Sequence, residues 1–204
     1  VTPGAHPTML AILTGLAKAG DTLLCEDVTY PGFRGIAGRL GLTLVGLPGD
    51  AEGIDPDALE DGIRRHAPKA LYLNPTLQNP TTRTISLARR ERIAEVITAH
   101  KLPLIEDDAY GFIPPHPPAP LASFAPDLVW HIGGLAKCIG AGLRLAYTVA
   151  PNSHAARDLA HQLKLVSVMP SPLMMALATR WITDGTADRI RRFIRDETQA
   201  RQAI

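Results

Sequence analysis

Cysteine is nearly absent from this sequence. Its 204 residues hold two, Cys25 and Cys138, at a separation that matches no metal-ligand spacing. That excludes a disulfide scaffold, and free thiols suit a reducing cytoplasm, the expected location. Aromatic residues make up only 5%, the net charge is +1, and no basic tract appears before the last twenty residues. Nothing here favours direct nucleic-acid binding. No apolar run reaches membrane length, and the first residues do not read as a signal peptide. Lysine is also scarce, at five against sixteen arginines.

One of those five lysines, Lys137, stands in the glycine-rich, nearly uncharged stretch 133-GGLAKCIGAGLRLAY-147. Arginine keeps its proton near neutrality, whereas a buried lysine can lose one and become a nucleophile. The stretch by itself equally suits a turn carrying a surface lysine.

Apolar residues make up 46% of the chain and charged ones 20%, enough for a substantial core. Helix and strand patterns alternate along it. HPTMLAILTGLAKAG reads as a helix closed by Gly20, and DPDALEDGIRRH as one with Asp55 as N-cap and Pro56 in its first turn. SLARRERIAEVITAHK reads as a helix capped by Ser86, with Leu87, Ile93, Val96 and Ile97 facing inward. TLLCED, TLVGLP, ALYLNP, PLIEDD, LVWHIGG and RLAYTVA read as strands, and two or three helices close the chain. This predicts an α/β fold whose mainly parallel sheet is covered on both faces. The proline-rich loop at 114–120 reads as a rigid connector. The opening VTPGAHPTM and the ending RIRRFIRDETQARQAI read as cuts through a longer protein, so an excerpt is expected.

Ligands of such sheets bind beyond the carboxyl ends of the strands. Tyr30, Asn79, Asp107 and Lys137 all follow strand ends, which puts a phenol, an amide, a carboxylate and an amine on one rim. The segment TPGAH before the first helix offers free backbone N–H groups and a positive dipole end, suited to a phosphate. Separately, each residue has a plainer reading. Asn79 suits a turn before Pro80, Asp107 and Asp108 a solvated strand end, and Arg144 a strand-edge charge. Tyr30 suits a loop aromatic and His6 a helix cap. Glu106, Asp108 and Tyr72 read as structural. Together, amine, carboxylate and anion site suit pyridoxal 5'-phosphate, with lysine for a Schiff base and aspartate for the protonated pyridine nitrogen.

The ordered motifs QNPTT (78–82), EDDAY (106–110) and Lys137 seven residues before Arg144 resemble fold-type I pyridoxal-phosphate enzymes of the aminotransferase class I/II group. The resemblance covers nearly the whole chain. It implies a three-layer α/β/α sandwich with a mainly parallel, seven-stranded sheet, residues 1–204 being the cofactor-binding large domain. Residues 186–204 would begin the helix leading to a small domain. It also implies that Lys137 is the Schiff-base lysine and Asp107 the pyridine-nitrogen partner. Asn79 and Tyr110 would bond the phenolic oxygen, and Tyr30 would stack on the ring. Gly4, Ala5, His6 and Arg144 would hold the phosphate.

The wording NPTLQNPTT and EDDAYGFIP is most similar to the aminotransferase-like domain of MocR-type GntR transcriptional regulators. That likeness implies sensing of an amino compound, a homodimer, and DNA contact only through an upstream domain. The competing expectation is a catalytic aminotransferase acting on an amino acid and a 2-oxo acid. Four positions depart from the family pattern: Thr82 replaces the common glycine, Ala141 the usual proline, and two more alter the phosphate site. Gly134 and Ala136 stand where serines are usual, which removes two hydroxyl donors to the phosphate.

Overall fold

The computed structural model of the protein describes residues 1–203. Helix α1 (Ala5–Leu16) leads into β1 (Thr22–Glu26), α2 (Pro31–Arg39) and β2 (Thr43–Leu47). A small hairpin, β3 (Gly49–Asp50) with β4 (Gly53–Ile54), precedes α3 (Pro56–His66), β5 (Ala70–Leu73) and α4 (Leu87–His100). Strands β6 (Leu104–Asp108), β7 (Val129–Gly134) and β8 (Ala146–Val149) follow. Helices α5 (Ser153–Ser167), α6 (Pro172–Thr183) and α7 (Thr186–Gln202) complete the described residues.

The main sheet runs β2-β1-β5-β6-β7-β8. Every pairing in it is parallel except the last, where β8 lies antiparallel to β7. Among the described residues the main sheet therefore has six strands where seven were expected. At the outer edge of β8, Thr2 makes only a single antiparallel bridge to Ala146. Pro3 follows, and its missing N–H cannot extend that ladder.

β5 is buried at every position and β7 likewise, which explains their mainly apolar reading, broken in β7 only by the buried His131. Tyr72, Ile105 and Ile132 face α1, α2 and α5, packing with Met9, Phe33 and Leu159. Leu71, Leu73 and Leu104 face the other way, against Leu59 of α3 and Ile93 and Ile97 of α4. Each such aliphatic side chain contributes roughly 1.5–3 kcal/mol on burial, so the two apolar layers fix the sheet as a rigid floor for its carboxyl edge.

The caps behave as the side chains dictate. Asp55 accepts the Asp57 N–H and Ser86 the Arg89 N–H. Two expectations are corrected. The first helix ends at Leu16, because Ala17 is already extended and the turn 18–21 is closed by Asp21 accepting the Lys18 N–H. Gly20, at φ 90°, serves that turn rather than the helix end. On α4, Leu87 is exposed and Val96 only half-buried, while Arg90 is buried among Ile93, Ala94 and Ile97. Arg90 tolerates burial because it donates to the carbonyls of Pro75, Ile85 and Ala119 and to Thr76 Oγ1. It thereby anchors the loop after β5.

Candidate functional site

The carboxyl edge of the sheet opens into one cleft, and the structure brings all nine residues singled out in the sequence to it: Gly4, Ala5, His6, Tyr30, Asn79, Asp107, Tyr110, Lys137 and Arg144. They arrive from five places: the start of α1, the segments after β1, β5 and β7, and the end of β6 with the turn that follows it. Gly134 and Ala136 also line this cleft.

Asp107 lies at its floor. It is 4% exposed, and its Oδ2 accepts a hydrogen bond of 2.9 Å from the Tyr72 hydroxyl. Its Oδ1 is buried with no partner. Burial pushes the Asp107 carboxyl up to about 6, while the Tyr72 hydroxyl pulls against that rise. Tyr72 is itself buried, stacked on Phe33 with ring centroids 3.7 Å apart, and burial holds its pKa well above the ordinary value. It remains a donor at neutral pH. The sequence reading of Tyr72 as merely structural missed this contact. The available signal was parity, since Tyr72 lies on the same face of the sheet as Asp107, one strand away.

Asn74 was missed altogether. It follows Leu73, which pairs with Glu106, so Asn74 falls beside Asp107 at the strand ends. Its side chain joins two segments. Nδ2 donates to the Asp107 carbonyl at 2.6 Å, and Oδ1 accepts the Asn79 N–H at 2.8 Å. Asn79 precedes Pro80 across a cis peptide bond. It is half-buried and faces Tyr110. Burial raises the Tyr110 phenol, with the Asp107 charge adding to the rise and the Asn79 side chain opposing it.

Lys137 is exposed along the cleft rather than buried, with Nζ 6.0 Å from the Tyr110 ring centroid. Tyr30 is half-buried at the N-cap of α2. Its ring lies against Gly32, where an added Cβ would come within 2.4 Å of Tyr30 Cζ. Only glycine leaves that space.

At the opposite rim, α1 starts at Ala5 behind Gly4, whose φ is 113°. The Ala5 and His6 N–H groups precede any intrahelical acceptor, and Pro7 has none to offer. The Arg144 guanidinium approaches this end: a Cβ on Gly4 would lie 3.6 Å from Arg144 Nη2. A helix N-terminus and a guanidinium thus converge at this end of the cleft, an arrangement suited to an anion. Neither cysteine enters the chemistry, since burial pushes the Cys25 and Cys138 thiols up to about 12 and about 11. Glu106 and Asp108 point to the far face of β6. Glu106 accepts the Leu121 and Ala122 N–H groups and pairs with His131 at 2.9 Å.

The model of the family "Aminotransferase class I and II" matches residues 1–203. An uncharacterized HTH-type transcriptional regulator of Bacillus subtilis, YdeF, is 31% identical over 98% of this chain and 43% of its own length. The 2-aminoadipate transaminase of Thermus thermophilus is 29% identical over 97% of this chain and 54% of its own. Among solved structures, the α-aminoadipate aminotransferase LysN, also of Thermus thermophilus and complexed with N-(5'-phosphopyridoxyl)-L-leucine, superimposes with a TM-score of 0.89. Its identity is 27%, over 98% of this chain and 53% of that one. The chain spans about half the length of the relatives it matches. The six-stranded, mainly parallel sandwich is the fold-type I architecture of those aminotransferases, and the chain belongs to the aminotransferase class I and II family.

Proposed function

We propose that this chain is the pyridoxal-phosphate-binding, effector-sensing part of an HTH-type transcriptional regulator of the GntR/MocR kind. The observation that carries the cofactor reading is Asp107 Oδ1, a carboxylate oxygen buried at the floor of the cleft with no partner. An orphaned buried acceptor is costly, and a protonated ring nitrogen satisfies it. Bound there, pyridoxal phosphate supplies an aldehyde for an amine and a ring that takes up an electron pair from the α-carbon of an amino compound.

The chain's own residues do the rest. Asp107 would hold the proton at the ring nitrogen. Asn79 and Tyr110 would donate to the phenolic oxygen, and Tyr30 would cover the ring. Arg144, with the Ala5 and His6 N–H groups behind Gly4, would bind the phosphate charge. Lys137 would supply the amine that holds the group's aldehyde carbon.

The regulator reading rests on relatives such as YdeF, named as HTH-type regulators, and on the thinned phosphate site at Gly134 and Ala136. DNA contact belongs to a domain upstream of this chain. Residues 186–204, mostly the helix α7, lead toward a small domain. A cytoplasmic location fits the uncapped thiols, and no helix of the described residues is long and apolar enough to cross a membrane. Homodimerisation is supported by the apolar side chains exposed around the α5–α6 turn, Leu165, Val168, Met169 and Leu173. A catalytic aminotransferase is the second reading, favoured by the likeness to the 2-aminoadipate transaminase. In it Lys137 also moves the proton at the substrate α-carbon.

Borohydride treatment of the full-length protein is expected to bleach a visible chromophore and leave the label on the peptide containing Lys137. An unlabelled peptide, or an unchanged spectrum in Lys137→Ala, overturns the assignment. With amino acids and 2-oxoglutarate, a sensor exchanges once and changes its DNA affinity. Steady multiple turnover without any DNA-binding domain would leave an aminotransferase.

A further inference from the structure

We propose that Glu26 is a positioning residue for the cofactor-facing loop 74–79, acting through Asn74; the inference rests on the pyridoxal-phosphate reading of the cleft. Glu26 closes β1, is 9% exposed and forms no ion pair among the described residues. A carboxylate buried without a cation is costly unless hydrogen bonds satisfy it. Its hydrogen bond is to the loop itself: Oε2 accepts the Asn74 N–H at 3.4 Å. Burial pushes the Glu26 carboxyl up to about 7, and the Asn74 N–H and the Gln78 side chain pull it back down.

The consequence runs through Asn74, which is 2% exposed. With its N–H on Glu26, its Nδ2 on the Asp107 carbonyl and its Oδ1 on the Asn79 N–H, Asn74 has no freedom left. Gln78, also buried, adds a second tie across the same gap. Its Nε2 donates to the Val28 carbonyl at 2.5 Å, two residues before Tyr30, and its Oε1 accepts both the Thr81 N–H and the Thr81 hydroxyl. Glu26 therefore sits beneath the junction of three cleft-lining groups, Asn79, Asp107 and Tyr30, without touching the cleft itself. It does not appear among the cleft's lining residues. Removing its acceptor frees the Asn74 backbone and would let the Asn79 amide drift from the phenolic oxygen it would serve.

The test compares Glu26→Ala and Glu26→Gln in the full-length protein. In the cofactor-free form, amide exchange at Asn79 is expected to speed up at least tenfold in Glu26→Ala and to stay near wild type in Glu26→Gln, whose amide oxygen still accepts. Exchange in β5 and β6 is expected to be unchanged in both. In the loaded form, the pH midpoint of the bound chromophore's spectral transition is expected to rise in Glu26→Ala, with recovery in Glu26→Gln. Unchanged Asn79 exchange in Glu26→Ala overturns the proposal, as does faster exchange spread evenly over the sheet, which would mark Glu26 as merely structural. Where Glu26→Ala does not fold, Glu26→Asp withdraws the carboxylate by one methylene and is judged by the same outcomes. Failure of borohydride to label Lys137 would sink the cofactor reading alone, because the exchange measurement needs no cofactor.

Discussion

Replacing Tyr72 by phenylalanine removes one oxygen and leaves the packing intact. The ring stacked on Phe33 at 3.7 Å is retained, so no cavity opens. What is lost is the 2.9 Å hydrogen bond to Asp107 Oδ2. A hydrogen bond to a charged group is worth about 1.5–3 kcal/mol, and about 1.4 kcal/mol is tenfold in affinity. Without the phenol, burial raises the Asp107 carboxyl further, with only the His131 charge and the Ala109 N–H left to oppose it, so less carboxylate is present at neutral pH to meet a ring nitrogen. Equilibrium titration of the apoprotein with pyridoxal phosphate at pH 7 is expected to show a roughly ten- to hundredfold weaker complex for Tyr72→Phe. The deficit is expected to narrow at pH 8.5, where Asp107 ionises in both proteins. Affinity within twofold of wild type at pH 7, or a deficit independent of pH, would refute the reasoning.

Gly32→Ala puts a Cβ within 2.4 Å of Tyr30 Cζ, so the Tyr30 ring must leave its place; the bound chromophore's circular dichroism is expected to change while the melting temperature moves little. At Gly134 an added Cβ meets nothing within 4 Å, so there is room to begin a side chain in Gly134→Ser, tested together with Ala136→Ser. Each restored hydroxyl bond is worth about 1 kcal/mol, and cofactor titration is expected to show several-fold tighter binding. No gain would mean that other groups already satisfy the phosphate. Stability of the apoprotein is expected to fall as pH rises. Glu26 and Asp107 titrate at about 7 and about 6 when folded, against ordinary values of 4.5 and 3.8. The folded state therefore holds the extra protons, and stability present below pH 4 is lost as pH rises toward 7, by about 3 kcal/mol for each group. Denaturant unfolding of wild type and Glu26→Gln at pH 4 and pH 8 checks this, and a gap between them that ignores pH would contradict it.

Much of this protein was readable without coordinates, because its signals are local. Asp55 and Ser86 cap helices through bonds that span two or three residues, and the apolar run of β5 and the mainly apolar run of β7 declare strands buried on both faces. Four of the nine cleft residues, Tyr30, Asn79, Asp107 and Lys137, were legible for a related reason: in a parallel sheet the residues at each strand end share one edge. The 4–6 segment was legible as the free end of a helix, and Tyr110 and Arg144 only through the family resemblance. Tertiary structure decided what depends on neighbours distant in sequence. Leu87 fits a helical apolar stripe by period, yet Arg90 takes the buried position because carbonyls from the loop after β5 and the proline-rich loop satisfy it. Tyr72 became the partner of Asp107 through a contact spanning 35 residues, and Glu26 became the support of Asn74 through one spanning 48. The register of neighbouring strands sets both, and no local pattern records it. A helical or strand period specifies which face a residue presents, but the group waiting on the other side belongs to another part of the chain.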